Sequence, residues 1–236
     1  MMIKVCGMRE PDNIRAVAEL GVDMIGYVFY PESPRFVQMI SSRAGIIPDY
    51  SEEKLKEMRN QDASPVMMAR KQPRKVGVFV DDMPQNIVTR VYNFNLDYVQ
   101  LHGDELPVMI DNLRRTLDPD IRRGAKIIKA LSIRKAEDIA KWKDYQGHAD
   151  MLLFDTACEA HGGSGKRFDW SMLEAYDGDL PFLLSGGIGP DDAERVKTFS
   201  HPMFAGIDLN SRFETEPGVK DVDLLRCFIS SLTSHL

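Results

Sequence analysis

Short apolar runs rich in β-branched residues return eight times along this chain, each followed by a stretch of mixed polarity with helical period. The strand-like runs are residues 3–7 (IKVCG), 23–30 (DMIGYVFY), 75–80 (KVGVFV), 97–103 (DYVQLHG), 126–131 (KIIKAL), 150–156 (DMLLFDT), 181–187 (PFLLSGG) and 203–209 (MFAGIDL). Helical stretches such as PDNIRAVAELG, PQNIVTRVYNF, ELPVMIDNLRRTL, RKAEDIAKWKDY, DWSMLEAY and PDDAERVKTF lie between them, and VKDVDLLRCFISSL closes the chain. Pro11 suits a first helical turn and Gly21 the end of a last one. Strict alternation of this kind requires parallel strands joined by right-handed crossovers. Eight units in 236 residues predict an α/β fold of the closed (β/α)8 TIM-barrel type. The rival is an open doubly wound sheet, which more often holds about five or six strands.

At roughly 150 residues per domain the length allows one or two domains, and a single barrel domain over 1–236 accounts for all of it. The rhythm breaks once. Residues 38–74 are more than one helix and two turns need, and they include the charged run SEEKLKEMRN and the pair Met67 and Met68. An insertion between strands 2 and 3 is expected there, as a tolerated surface excursion, a lid or a partner surface. Lys plus Arg number 30 against 36 Asp plus Glu, a net charge of −6, which argues against nucleic acid and anionic membranes as partners. Any phosphate must be met locally. Three cysteines without a CxxC pair and five scattered histidines favour neither a disulfide framework nor a zinc site. The opening MMIKVCGMRE lacks a secretion signal's apolar core, and no run of about 18 apolar residues occurs. A cytoplasmic protein is expected.

In such a barrel the chemistry sits at the C-terminal ends of the strands. Here the runs end on Cys6 and Gly7, Tyr30 with PESPR, Asp81 and Asp82, Gln100 and His102, Ala130, Asp155, Ser185 with Gly186 and Gly187, and Asp208 with Asn210 and Ser211. After strand 7, SGGIGPDD sets two glycines in a turn before a helix, so that backbone N–H groups and a positive helix end can face an anion. After strand 8, DLNSR adds small polar donors, and these two loops together are the usual phosphate site of phosphosugar barrels. Strand alternation puts Lys4 and Cys6 on one side, where an ammonium would draw a thiol pKa of about 8.5 toward neutrality and make the sulfur a proton acceptor. The alternative is a small buried hydrophobe at Cys6 and an internal ion pair at Lys4. Asp155 follows MLLF and precedes the glycine-rich HGGSGKRFDW, which places a carboxyl at the mouth as proton donor or as the cap of its own loop. Arg35 suits a bidentate grip on a carboxylate or phosphate, or a solvated loop position. Gln100 and His102 share one face of strand 4, as ligand contacts or as a satisfied polar layer. Cys227 falls in the terminal helical pattern, where packing is expected, and Cys158 in the loop after Asp155.

The pieces IKVCGM, FYPESPR, VGVFV, VQLHGDE, IKAL, LLFDT with GGSGKRFDW, LLSGGI and GIDLNSRFE, in this order and on these strands, resemble the phosphoribosylanthranilate isomerases, (β/α)8 enzymes of tryptophan biosynthesis. The resemblance touches every unit. It implies Cys6 as general base, Asp155 as general acid, Arg35 as a substrate-holding residue and Gly186, Gly187, Asn210 and Ser211 as phosphate contacts. Lys4, Gln100, His102 and Asp208 complete the expected substrate-binding set. The implied reaction is the Amadori rearrangement of N-(5'-phosphoribosyl)anthranilate, with a small phosphosugar as partner, no cofactor, no metal, and a monomer or homodimer as the assembly.

Three features depart from the family pattern. The insertion is long, Arg212 stands where a small residue is common, and Asp81 and Asp82 stand where Asn is frequent and have no assigned role. Arg212 would add charge at a phosphate or project outward. Two other functions compete. The related isomerase of histidine biosynthesis needs a carboxylate where Cys6 stands and a second phosphate loop, which the turns after strands 3 and 4 lack. A non-catalytic phosphosugar-binding barrel is the other, and the presence of both proton-transfer residues speaks against it.

Overall fold

The computed structural model describes residues 1–38, 72–155 and 170–233. Eight parallel strands close a barrel in chain order: β1 (Met2–Val5), β2 (Met24–Val28), β3 (Arg74–Phe79), β4 (Tyr98–Leu101), β5 (Lys126–Ser132), β6 (Met151–Asp155), β7 (Phe182–Ser185) and β8 (Phe204–Leu209). Every expected run contains a strand. The open sheet is excluded by the β1 to β8 register, which runs from Met2 opposite Gly206 to Val5 opposite Leu209.

The two-residue period of a strand sorts the side chains. Ile3, Val5, Ile25, Tyr27 and Phe79 face outward and are sealed by the helices. Met24, Val76, Ile128, Met151, Leu153 and Leu183 fill the barrel. Further along the same strands Cys6, Val28 and Val78 form a small apolar layer nearer the C-terminal mouth. The packed interior is therefore a floor on which polar groups at the strand ends stand.

Helices α1 (Pro11–Ala18), α2 (Pro84–Phe94) and α3 (Pro107–Leu117) each start on a proline, whose missing N–H falls where a helix has no internal partner anyway. Ile87, Val91 and Phe94 on α2, and Ile110, Leu113 and Leu117 on α3, recur at three to four residues and give each helix one buried stripe. Two stretches expected as α-helix are instead 3-10 helix, Ala136–Tyr145 and Trp170–Ala175. Their apolar residues explain the tighter winding. Ile139, Trp142 and Tyr145, and again Trp170, Leu173 and Tyr176, recur every third residue, and three residues per turn stack them on one line against the barrel.

PDDAERVKTF splits into a 3-10 turn, Pro190–Asp192, and α4 (Ala193–Thr198). The terminal stretch also departs from expectation, because its first two residues are β10 (Val219–Lys220), paired antiparallel with β9 (Glu214–Glu216) before α5 (Val222–Thr233) begins. Asn13 on α1 donates to the Lys220 carbonyl and accepts from its N–H, both at 2.8 Å, which pins this hairpin to the barrel wall. Of the expected insertion over 38–74, residues 39–71 lie outside the described residues, as do Cys158 and the rest of the segment 156–169. No helix among the described residues is long and apolar enough to cross a membrane.

Candidate active site

The C-terminal strand ends open into a cavity of about 350 Å³. On the β1 side it is lined by Cys6, whose backbone N–H donates to the Leu209 carbonyl at 2.9 Å and so ties the end of β1 to the end of β8. Gly26 on β2 leaves the room for the thiol, since a Cβ there would lie 2.7 Å from Cys6 Sγ. One pleat below, Lys4 is fully buried and donates to Asp208 Oδ1 at 2.9 Å, while the Ser185 hydroxyl reaches Asp208 Oδ2 at 3.4 Å. Burial pushes the Cys6 thiol up; Lys4 pulls it back and the Asp208 carboxylate pushes it further up. The expectation that Lys4 brings the thiol toward neutrality is thus corrected. The ammonium still favours the thiolate, but desolvation, with Asp208 adding to it, prevails. Lys4 does not line the cavity either, so the internal ion pair replaces the expected ligand contact. Asp208 does line it.

On the β6 side Asp155 faces the cavity and shares its Oδ2 with His102 Nε2 at 3.2 Å, and Gln100 Nε2 lies 3.0 Å from His102 Nδ1. Gln100, His102 and Asp155 all line the same cavity. The loop that carries His102 is braced by two buried residues that sequence reasoning passed over. Glu105 accepts from the Gly103 and Asp81 N–H groups at 3.0 and 3.1 Å, and Lys129 donates to Glu105 at 2.9 Å and to the Gly103 carbonyl at 2.6 Å. A lysine inside the apolar run KIIKAL was the available signal. Asp81 and Asp82 gain roles here too: Asp81 accepts from the Asp104 N–H at 2.7 Å, and Asp82 accepts from the Met83 N–H at 2.8 Å at the start of α2.

A third wall is made of Gly186, Gly187, Asn210, Ser211 and Arg212. Gly186 and Gly187 have φ of 93° and 71°, which a side chain would strain, so this turn needs glycine at both positions. The glycine turn faces the cavity, and in the turn that leads on to the helix the Gly189 N–H donates to Asp192 Oδ2 at 2.8 Å. Arg212, an exposed residue, is the cationic side chain among the residues that line this wall.

Arg35 is not among the cavity-lining groups. Its fork is engaged by Glu214, with Nε 2.8 Å from Oε1 and Nη2 2.6 Å from Oε2. Gly7 makes this path possible, since a Cβ there would fall 2.5 Å from Arg35 Cδ. Lys220, buried on β10, also donates to Glu214 and reaches Asn210 Oδ1 at 2.8 Å. Burial disfavours a charged Glu214, yet the hydrogen bonds from Arg35 and Lys220 outweigh it and hold the carboxyl below its ordinary value. In this structure Arg35 is part of a clamp that joins the β2 loop, the hairpin and the loop after β8. Cys227 is exposed on α5 rather than packed. Among the described residues no group of three or more His, Cys, Asp or Glu is placed to hold a metal ion.

Residues 3–231 match the family model of N-(5'-phosphoribosyl)anthranilate isomerase. The chain is 46% identical over 232 residues to the N-(5'-phosphoribosyl)anthranilate isomerase of Parabacteroides distasonis, covering 98% of this chain and 93% of that protein. The corresponding protein of Phocaeicola vulgatus is 41% identical over 236 residues, with both chains covered in full. Among solved structures, the phosphoribosyl anthranilate isomerase of Thermotoga maritima superposes with a TM-score of 0.71 at 29% identity, covering 98% of each chain. A second, solved in complex with reduced 1-(o-carboxyphenylamino)-1-deoxyribulose 5-phosphate, gives 0.69 at 27% identity over 98% of each chain. With the barrel, the cavity and these relatives in agreement, the chain belongs to the N-(5'-phosphoribosyl)anthranilate isomerase family.

Proposed function

We propose that Cys6 takes and Asp155 gives the protons of the isomerisation that defines this family, the Amadori rearrangement of N-(5'-phosphoribosyl)anthranilate to 1-(2-carboxyphenylamino)-1-deoxyribulose 5-phosphate. One observation carries the assignment: a thiol on β1 and a carboxyl on β6, three strand positions apart around the ring, line one cavity with the glycine turn and Arg212 beside them. The complex of a relative with a reduced phosphosugar supports the ligand class.

Asp155, as the carboxylic acid, gives its proton to the ribose ring oxygen. The bond from C1 to that oxygen breaks, and the nitrogen lone pair forms the C1=N bond of a protonated Schiff base. The Cys6 thiolate then removes the proton on C2, whose bonding electrons make the C1=C2 bond of an enolamine and neutralise the nitrogen. Loss of the 2-hydroxyl proton with protonation at C1 gives the ketone. Gly186, Gly187, Ser211 and Arg212 receive the 5-phosphate, so that an acidic chain binds a dianion through a local set of donors.

Cys6→Ser and Asp155→Asn are each expected to lower kcat by at least about a hundredfold with KM within about threefold, followed by substrate fluorescence. Turnover within about twofold of the unaltered protein in either variant overturns the assignment.

A further inference from the structure

His102 sits between Gln100 and Asp155, with one ring nitrogen committed to each. A neutral imidazole carries one N–H and one lone pair, so its two nitrogens always present opposite roles. With the Gln100 amide donating to Nδ1, the Nε2–H donates to Asp155 Oδ2, which suits a carboxylate that has given its proton away. With the amide turned over, its oxygen accepts from Nδ1–H and the Nε2 lone pair accepts from the Asp155 O–H, which suits the loaded acid. Gln100 is 1% exposed, and its Oε1 is buried with no hydrogen-bond partner. Turning the amide over therefore breaks only the bond that it remakes.

We propose that Gln100 and His102 are positioning residues forming a two-state hydrogen-bond relay, which holds the Asp155 carboxyl toward the cavity in both its protonated and its ionised form. The proposal rests on Asp155 being the proton donor. His102 itself is held rigidly: its backbone N–H donates to the Phe79 carbonyl at 2.8 Å, and the Glu105 and Lys129 brace fixes the next residue. The charged and titratable groups facing the pair are Cys6, Tyr30, Asp208 and Arg212 around the catalytic cavity, with Asp104, Lys129, Lys141, Asp144 and Tyr145 in the adjoining cavity beyond His102. Among the described residues none of these hydrogen-bonds the Asp155 carboxyl, whereas His102 does.

A double-mutant cycle tests this on the full chain. His102→Phe is expected to lower kcat about 10- to 100-fold with KM within about threefold, a split that loss of fold would not produce. His102→Gln places an amide near the Nε2 position, able to donate or accept, and is expected to recover most of that loss. In an Asp155→Asn background His102→Phe should change kcat by less than about twofold, because the group it serves is gone. A full additional loss in that background, or unchanged kcat in His102→Phe alone, overturns the relay while leaving Asp155 as the acid. Full activity of Asp155→Asn overturns both.

Discussion

The sulfur of Cys6 is placed by what its neighbours lack as much as by what they supply. Gly26 gives it room, and Gly26→Ala, with a Cβ 2.7 Å from Sγ, is expected to push the thiol off the C2 proton and lower kcat about 10- to 100-fold while the melting temperature shifts by only a few degrees. Steady-state kinetics beside a thermal melt separate the two effects. Burial also sets the pH response. A base works deprotonated, and desolvation raises the Cys6 thiol above its ordinary value, so kcat/KM should climb with rising pH through and beyond about pH 8.5. A rise that is complete by about pH 7 would contradict a desolvated thiol as the base. The thiol, the carboxyl and the glycine turn were all legible from sequence because each stands at the end of an apolar run. The sign of the thiol's shift was not: strand alternation shows that Lys4 lies on the same side as Cys6, but only the three-dimensional fold shows how deeply the thiol is buried, and that Asp208, over 200 residues away, pairs with Lys4 and adds to the upward push.

Among the elements, the eight strands were readable because β-branched runs repeat with turn residues between them, and three helices because their apolar stripes recur at 3.6. The two 3-10 segments were legible as helical, while their winding shows only in the strict threefold spacing of their apolar residues. The β9 to β10 hairpin was missed since strands of three and two residues are too short to show alternation, and Pro217 with Gly218 was the one local sign of a turn. That omission hid the functional partner of Arg35. Glu214 joins Arg35 to Lys220, and Lys220 holds Asn210, so the hairpin carries the cavity wall proposed to receive the phosphate. Glu214→Gln leaves buried Lys220 and half-buried Arg35 facing each other without a counter-charge and is expected to cost about 3 kcal/mol in urea unfolding at neutral pH, with a raised KM. The depressed carboxyl also gives this contribution a pH window. Its stability is present above the ordinary glutamate value of about 4.3 and is lost as pH falls through the lower folded value. The acid loss due to this group should be absent from Glu214→Gln, and an equal slope in both proteins would refute it.

For the whole molecule, ring closure joins residues at opposite ends of the sequence. The pairing of β1 with β8, the Cys6 to Leu209 backbone bond and the Lys4 to Asp208 ion pair all cross the same seam. Contacts so distant in sequence repay their chain entropy late, whereas each strand with its following helix can form locally. The seam is also where Cys6, the proposed base, stands. Enzymatic activity should therefore act as a clock for the final step of folding: after dilution from denaturant, helical signal returns first, and turnover returns only with the last rise in aromatic fixed structure. Turnover regained in step with the earliest helical signal would show that the β1 to β8 seam forms at the outset, and a partly closed barrel, however native its spectrum, would have Asp155 in place and the Cys6 side of the cavity unmade.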